Sequence, residues 1–144
     1  MSNINKTTAA NLSAIDEQLF TEVTPEQAAI VEGGLQNVTL GTLRSIRSAA
    51  DGATGTDEVF AVINGTRVRF QNPQSMQTGS VANFGAGANF SNTSPVTVSL
   101  FDKDGSNQAD ADFLGSFTIS NGTTSGTRRV SGSGSTYEVS FTAF

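Results

Sequence analysis

Cysteine, histidine and tryptophan are all absent from this chain. Without cysteine there is no disulfide to staple a fold and no thiolate to hold zinc. Without histidine the commonest general base and the imidazole metal ligand are both missing. Ser-His-Asp and Cys-His catalysis are therefore excluded, and the composition argues against an enzyme. Positive charge is scarce: eight Lys and Arg stand against 13 Asp and Glu, for a net charge of −5. That balance argues against nucleic acid as a partner, because neutralising phosphates requires a basic face. No apolar run in the sequence reaches the ~18 residues expected of a membrane-spanning helix. What the chain does have is ten Phe, 15 Gly and many Ser, Thr and Asn in 144 residues. This is the make-up of one turn-rich, all-β domain with a modest aromatic core.

The charge is unevenly divided. Up to Gly34 there are one Lys and five acids, a net of −4; from Leu35 onward seven cations face eight acids, a net of −1. The first part also carries a helical signature. Thr24-Pro25-Glu26-Gln27 reads as an N-cap, a proline at the first helical position and an acidic first turn. Gly33-Gly34 would end that helix. A helix this short falls below the ~12–15 residues needed for stability alone in water. A frayed or disordered N-terminal segment is expected until a partner binds it.

The segment lacks the basic start, apolar stretch and small-residue site of a Sec signal peptide. Phe20 to Gly34 instead resembles a double-glycine leader of the bacteriocin type. Val23, Ala28 and Val31 match that family's apolar recognition positions, with Glu26 and Gln27 as the polar residues between them. The resemblance implies a bacterial source, a peptidase-containing ABC exporter as partner, and cleavage after Gly34 at the Gly33-Gly34 pair. It further implies Sec-independent secretion of residues 35–144, to the cell surface or the medium.

Past Gly34 the pattern is one of strands. Leu35 to Ile46 alternates loosely, Glu58 to Ile63 and Thr66 to Phe70 flank a tight Asn64-Gly65 turn, and Ser80 to Phe84 reads as a further strand. Gly85 to Ser94 reads as a loop with room for a short strand, and Asn72-Pro73 as a turn. Pro95 to Phe101, Phe113 to Ser120, Gly126 to Gly132 and Ser135 to Phe144 complete the set, with Tyr137, Val139 and Phe141 sharing one face. About eight strands at this spacing predict an antiparallel β-sandwich.

Eight acids follow Gly34, and seven of them fall in two windows, 51–58 and 102–112. Acids that served only solubility would be scattered along every strand. Like charges at short range repel, so clustered carboxylates cost folding energy unless a cation shares them. Hard oxygen ligands on flexible loops suit Ca2+, which takes six to eight of them. The candidate ligands are Asp51, Asp57, Asp102, Asp104, Asp110 and Asp112. The competing interpretation is a pair of solvated turns, since Asp, Asn, Gly and Ser form turns anyway.

The spacing of these acids resembles that of a C2 domain, the eight-stranded calcium-binding sandwich. Asp51 and Asp57 stand six residues apart, with the second opening a strand, as on one loop of that family. Asp102-Lys103-Asp104 follows the strand Val98 to Phe101, and Asp112-Phe113-Leu114-Gly115 opens the next, as on another. Asp110 has the family's usual distance from Asp104, whereas Asp112 has the local Phe-Leu-Gly context; Asp112 is preferred and Asp110 held in reserve. The family's Asn-Pro-x-Trp-Asn-Glu segment has no counterpart, and Asp57-Glu58-Val59 stands where Asp-Pro-Tyr is common. An EF-hand is rejected, because Asn107 and Phe113 occupy the positions that should be Gly and Glu.

The resemblance implies a secreted calcium-binding module. Its loop tips, Gly52 to Gly55 and Gly105 to Gln108, carry no aromatic or aliphatic wedge, which argues against stable membrane insertion. Two alternatives are a structural subunit that self-associates through weakly protected edges such as Thr123 to Gly134, and a bacteriocin-like toxin suggested by the leader alone.

Overall fold

A computed structural model describes residues 34–52 and 55–144, the side chain of residue 92 excepted. The leader-like segment, with Val23, Ala28, Val31 and Gly33, lies outside the described residues.

Two antiparallel sheets carry nine strands: β1 (Leu35–Arg47), β2 (Asp57–Ile63), β3 (Thr66–Val68), β4 (Gln74–Met76), β5 (Val81–Thr93), β6 (Val96–Asp102), β7 (Asp112–Ile119), β8 (Ser125–Gly132) and β9 (Ser135–Ala143). One sheet has the order β5-β1-β9-β8. The other runs β3-β2-β6-β7, and β4 pairs with β2 end to end with β3 along the same edge. The all-β sandwich expected from the sequence is therefore present. The expected Asn64-Gly65 turn joins β2 to β3, with both residues left-handed (φ 43° and 84°), as a type I′ turn requires.

Two expectations need correction. The stretch from Gly85, expected to be a loop holding at most a short strand, is strand as far as Thr93: β5 runs unbroken for 13 residues. Its Gly-Ala-Gly centre has no strand pattern of its own, but β1 is equally long and supplies a template along its whole edge. A register shift opposite Leu40/Thr42 absorbs the irregularity. The ninth strand is β4, directly after the expected Asn72-Pro73 turn and not itself expected. It is three residues long, and it forms because Met76 pairs with Asp57 and buries its side chain completely.

The core follows from the two-residue period of the strands. Val59, Ala61 and Ile63 of β2 point between the sheets, as do Val96, Val98 and Leu100 of β6 and Tyr137, Val139 and Phe141 of β9. Leu40 and Leu43 of β1, Phe84 of β5 and Ile119 of β7 fill the remaining space. These columns do not end with apolar residues. Continued by one more step of two, they place Asp57 ahead of Val59, Asp102 after Leu100, and Ser135 ahead of Tyr137. All three polar residues are buried, at the same end of the sandwich.

The alternate parity of β2 and β6 builds a second, smaller apolar layer outside the five-stranded sheet. Phe60 lies opposite Phe101 and is stacked on it at 5.4 Å, while Phe70 meets Phe60 edge-on at 5.0 Å. Phe113 extends the row beside Phe101 at 5.5 Å. The Arg67 guanidinium and the Lys103 ammonium each sit 4.8 Å from the Phe70 ring centre. Phe60 is fully buried although it faces away from the main core. Replacing Phe60 with Ala is therefore expected to cost about 3 kcal/mol, against ~0.5 kcal/mol for an ordinary outer-face change. Urea denaturation at equilibrium measures this.

The sandwich is closed along one side. β7 and β8 are the outer strands of different sheets, yet they run against each other. A side chain at Gly132 would strike the Phe113 carbonyl, and one at Gly115 would press on Val130 and Ser131. Of the weakly protected edge expected over Thr123 to Gly134, β7 lies against residues 130–132.

Candidate metal centre

β1 and β2 are joined by one acidic loop, and β6 and β7 by the other; both emerge at the end where the inward columns turn polar. In the first loop, Gly52 N donates to Ala49 O (3.2 Å) and Gly55 N to Gly52 O (3.1 Å). The chain folds back over Asp51 so closely that any side chain at residue 55 would strike the Asp51 Cβ and carbonyl. Asp51 is exposed. In the second loop Asp102 ends β6, one turn of 3-10 helix spans Gln108–Asp110, and Asp112 opens β7 opposite Asp102.

These loops bring together Asp51, Asp102 and Asp104. One carboxylate oxygen from each lies within 4.8 Å of the others. Asp102 is fully buried, and its Oδ1 accepts a short hydrogen bond from the Glu58 backbone N–H. Its Oδ2 is buried with no hydrogen-bond partner. Burial, offset in part by the Glu58 N–H and reinforced by the charges of Asp57, Asp51 and Asp104, pushes the Asp102 carboxyl up to about 7. Asp104 is exposed, but partial desolvation, then the charges of Asp112 and Asp51, raises that carboxyl as well, although the Asp112 N–H donates to its Oδ2 at 3.2 Å.

No cation among the described residues pairs with this group. Among the described residues the ion pairs are Arg129–Glu138 (2.7 Å) and Arg44–Glu138 (3.8 Å), both on the other sheet. Lys103 stands between Asp102 and Asp104 in sequence, but strand alternation turns its ammonium to the outer face, over Phe70.

The other three expected ligands occupy different places. Asp57 is fully buried and points inward, where Ser135 Oγ (2.6 Å), Tyr137 Oη (2.5 Å) and Ala50 N (3.2 Å) donate to its carboxylate. Asp112 is half-buried and reaches the group through its backbone N–H and its charge. Asp110 is exposed at the end of the 3-10 turn, beside Gly105. Neither belongs to the close set of three.

Sequence reasoning passed over Glu58. Its half-buried carboxyl is raised first by burial and then by the charges of Asp51, Asp57 and Asp104, which places it at the rim of the same group. Its adjacency to Asp57 was the available signal. Ser135 and Tyr137 were also missed as partners of Asp57. The inward parity of β9 and the need of a buried tyrosine for a hydrogen-bond partner pointed to them.

Fold and site together define an all-β sandwich with an unbalanced cluster of carboxylates at one end. No family model matches this chain, and no curated protein matches it. A solved structure described as "Structure of a C2 domain" aligns with a TM-score of 0.48 and 9% sequence identity, covering 75% of this chain and 97% of that one.

Proposed function

We propose that the domain is a calcium-binding module, with Asp51, Asp102 and Asp104 as the primary ligands. The observation that carries this is the fully buried Asp102 carboxylate, whose Oδ2 has no hydrogen-bond partner and which has an oxygen within 4.8 Å of two other carboxylates. A buried carboxylate oxygen without a donor is costly, and a cation placed among the three satisfies it and cancels their repulsion. The donor set is all oxygen and sits on two loops, which suits the large and irregular shell of Ca2+. Zinc prefers the nitrogen and sulfur ligands that this chain lacks. Water, carbonyl groups and Glu58 are available to complete the shell.

Action outside the cell belongs to the same proposal and rests on the leader-like residues 20–34 and the exporter they imply. Millimolar external calcium saturates even a weak site of the extracellular kind. The domain is then a binding module rather than an enzyme, its fold tightened once it leaves the cell.

Isothermal calorimetry of the full chain, stripped of metal and titrated with calcium, tests the proposal. A dissociation constant of about 1 mM or below is expected, and Asp104→Asn should weaken it at least tenfold. Absence of binding heat or of any calcium-dependent signal at millimolar concentration would overturn it. Terbium, a luminescent stand-in for calcium, gives an independent check. Tyr137 is the chain's single tyrosine and there is no tryptophan, and its hydroxyl touches Asp57 beside the site. Excitation of Tyr137 should sensitise terbium emission, and added calcium should quench it by displacement.

A further inference from the structure

Asp57 has the sequence spacing of a ligand but the surroundings of an anchor. Three donors converge on its carboxylate from two directions: Ser135 Oγ and Tyr137 Oη from β9, and Ala50 N from the loop that carries Asp51. The neighbouring amides of that loop are held in the same manner. Ser48 N donates to Thr78 Oγ1 at 3.0 Å, and Ala49 N donates to Ser135 Oγ at 2.8 Å. Three consecutive backbone N–H groups, of residues 48, 49 and 50, are thus each gripped by a side chain from elsewhere, and the next residue is Asp51. Ser48 Oγ fixes the base of the arm by accepting from Asp57 N at 3.3 Å and donating to the Met76 carbonyl at 2.9 Å. The β8–β9 turn closes against both acidic loops. Gly134 lies against Ala49, and Ser133 Oγ donates to the Phe113 carbonyl at 3.2 Å, next to Asp112.

We infer that Asp57, Ser135 and Tyr137 are positioning residues that set the Asp51 arm in register with Asp102 and Asp104, and that Asp57 is not itself a metal ligand. The inference rests on the calcium reading for its effect on affinity, while the clamp on the arm stands on geometry alone. Of the roughly four lone-pair sites of the Asp57 carboxylate, Ser135, Tyr137 and Ala50 take three. A tyrosine deep in the core therefore governs an ion site that it does not touch. Outer-shell groups of this kind typically change metal affinity by 10–100-fold when removed.

The test uses the full chain and two readouts. Tyr137→Phe and Ser135→Ala each remove one donor and little volume. Val139→Ala, the next inward position of β9, disturbs the core without touching the arm. Amide hydrogen exchange by NMR in EGTA reads the clamp without metal: Tyr137→Phe should speed exchange at Ala49 and Ala50 selectively, leaving β1 protected. Calcium titration reads the consequence: Tyr137→Phe and Ser135→Ala should weaken binding about tenfold, and Val139→Ala should leave it unchanged. Unaltered exchange at Ala49 and Ala50 would overturn the clamp whether or not calcium binds. Wild-type affinity in both donor variants, with binding lost in Asp57→Asn, would make Asp57 a direct ligand and sink the inference. Equal weakening in Val139→Ala would reduce the effect to general destabilisation. A wild type that binds no calcium, yet shows the selective exchange change, would refute the calcium reading and keep the clamp.

Discussion

Saturating calcium should raise the melting temperature of the EGTA-treated protein by about 10 °C. A ligand that binds only the folded state adds about 2.7 kcal/mol at a hundred times its dissociation constant. Each kcal/mol moves the midpoint of a domain this size by roughly 4 °C. The increase should be large here because the metal removes three penalties at once: the orphaned Asp102 Oδ2, the mutual repulsion of Asp51, Asp102 and Asp104, and the exclusion of water from a charged group. Asp102→Asn/Asp104→Asn should abolish the rise. Scanning calorimetry across a calcium titration measures it, and a midpoint that stays put at millimolar calcium in the wild type would return both acidic windows to the status of solvated turns.

The metal-free protein should become less stable as the pH rises from 4 to 7, opposite to the usual behaviour of a salt-bridged carboxylate. Asp102 has a folded-state value of about 7 against an ordinary 3.8. Between those values the folded chain keeps a proton that the unfolded chain has lost, so each step up in pH favours unfolding. Below the lower value both states are protonated, and above the upper one both are ionised, so the slope vanishes outside the window. At 1.36 kcal/mol per pKa unit, the loss between pH 5 and pH 8 is about 2–3 kcal/mol. Asp102→Asn keeps an acceptor for the Glu58 N–H and carries no charge. It should flatten the profile and make the calcium-free protein more stable than wild type at pH 8. Chemical denaturation at pH 5, 6, 7 and 8 in EGTA decides this; a wild-type stability that climbs across the window would show that Asp102 is not a desolvated acid.

The two predictions share a cause that was partly visible in the sequence. Alternation in Val96-Thr97-Val98-Ser99-Leu100 gave β6 its inward parity, and extending that parity by two lands on Asp102. The Asp-x-Asp spacing likewise marked Asp102 and Asp104 as neighbours. The fate of Asp57 was not visible in the same way. It shares parity with Val59 and so must point inward, but whether it meets a cation or a hydroxyl depends on β9, 78 and 80 residues along the chain. Local spacing carries no record of that encounter. The same is true of β5, whose Gly85 to Ala88 become strand only because a long neighbour is laid beside them. Asp110 and Asp112 were separated in sequence by context and in space by the 3-10 turn, which leaves Asp112 touching Asp104 through its backbone and Asp110 exposed.

The glycine-lined line of contact between β7 and β8 makes the sandwich behave like a bound book. That side is the spine, where the two sheets approach too closely for side chains at residues 115 and 132. The fore-edge lies opposite, where the second sheet ends in β3 and β4, two strands of three residues each. Short strands at the margin have little to hold them, so slow breathing of the fold should begin there, with the amides of β3 and β4 exchanging well before those of β6 and β9. The core between the covers would then meet water first near Val68 and Met76, whereas the spine, carrying β7 from the acidic end to the far end, keeps the covers aligned.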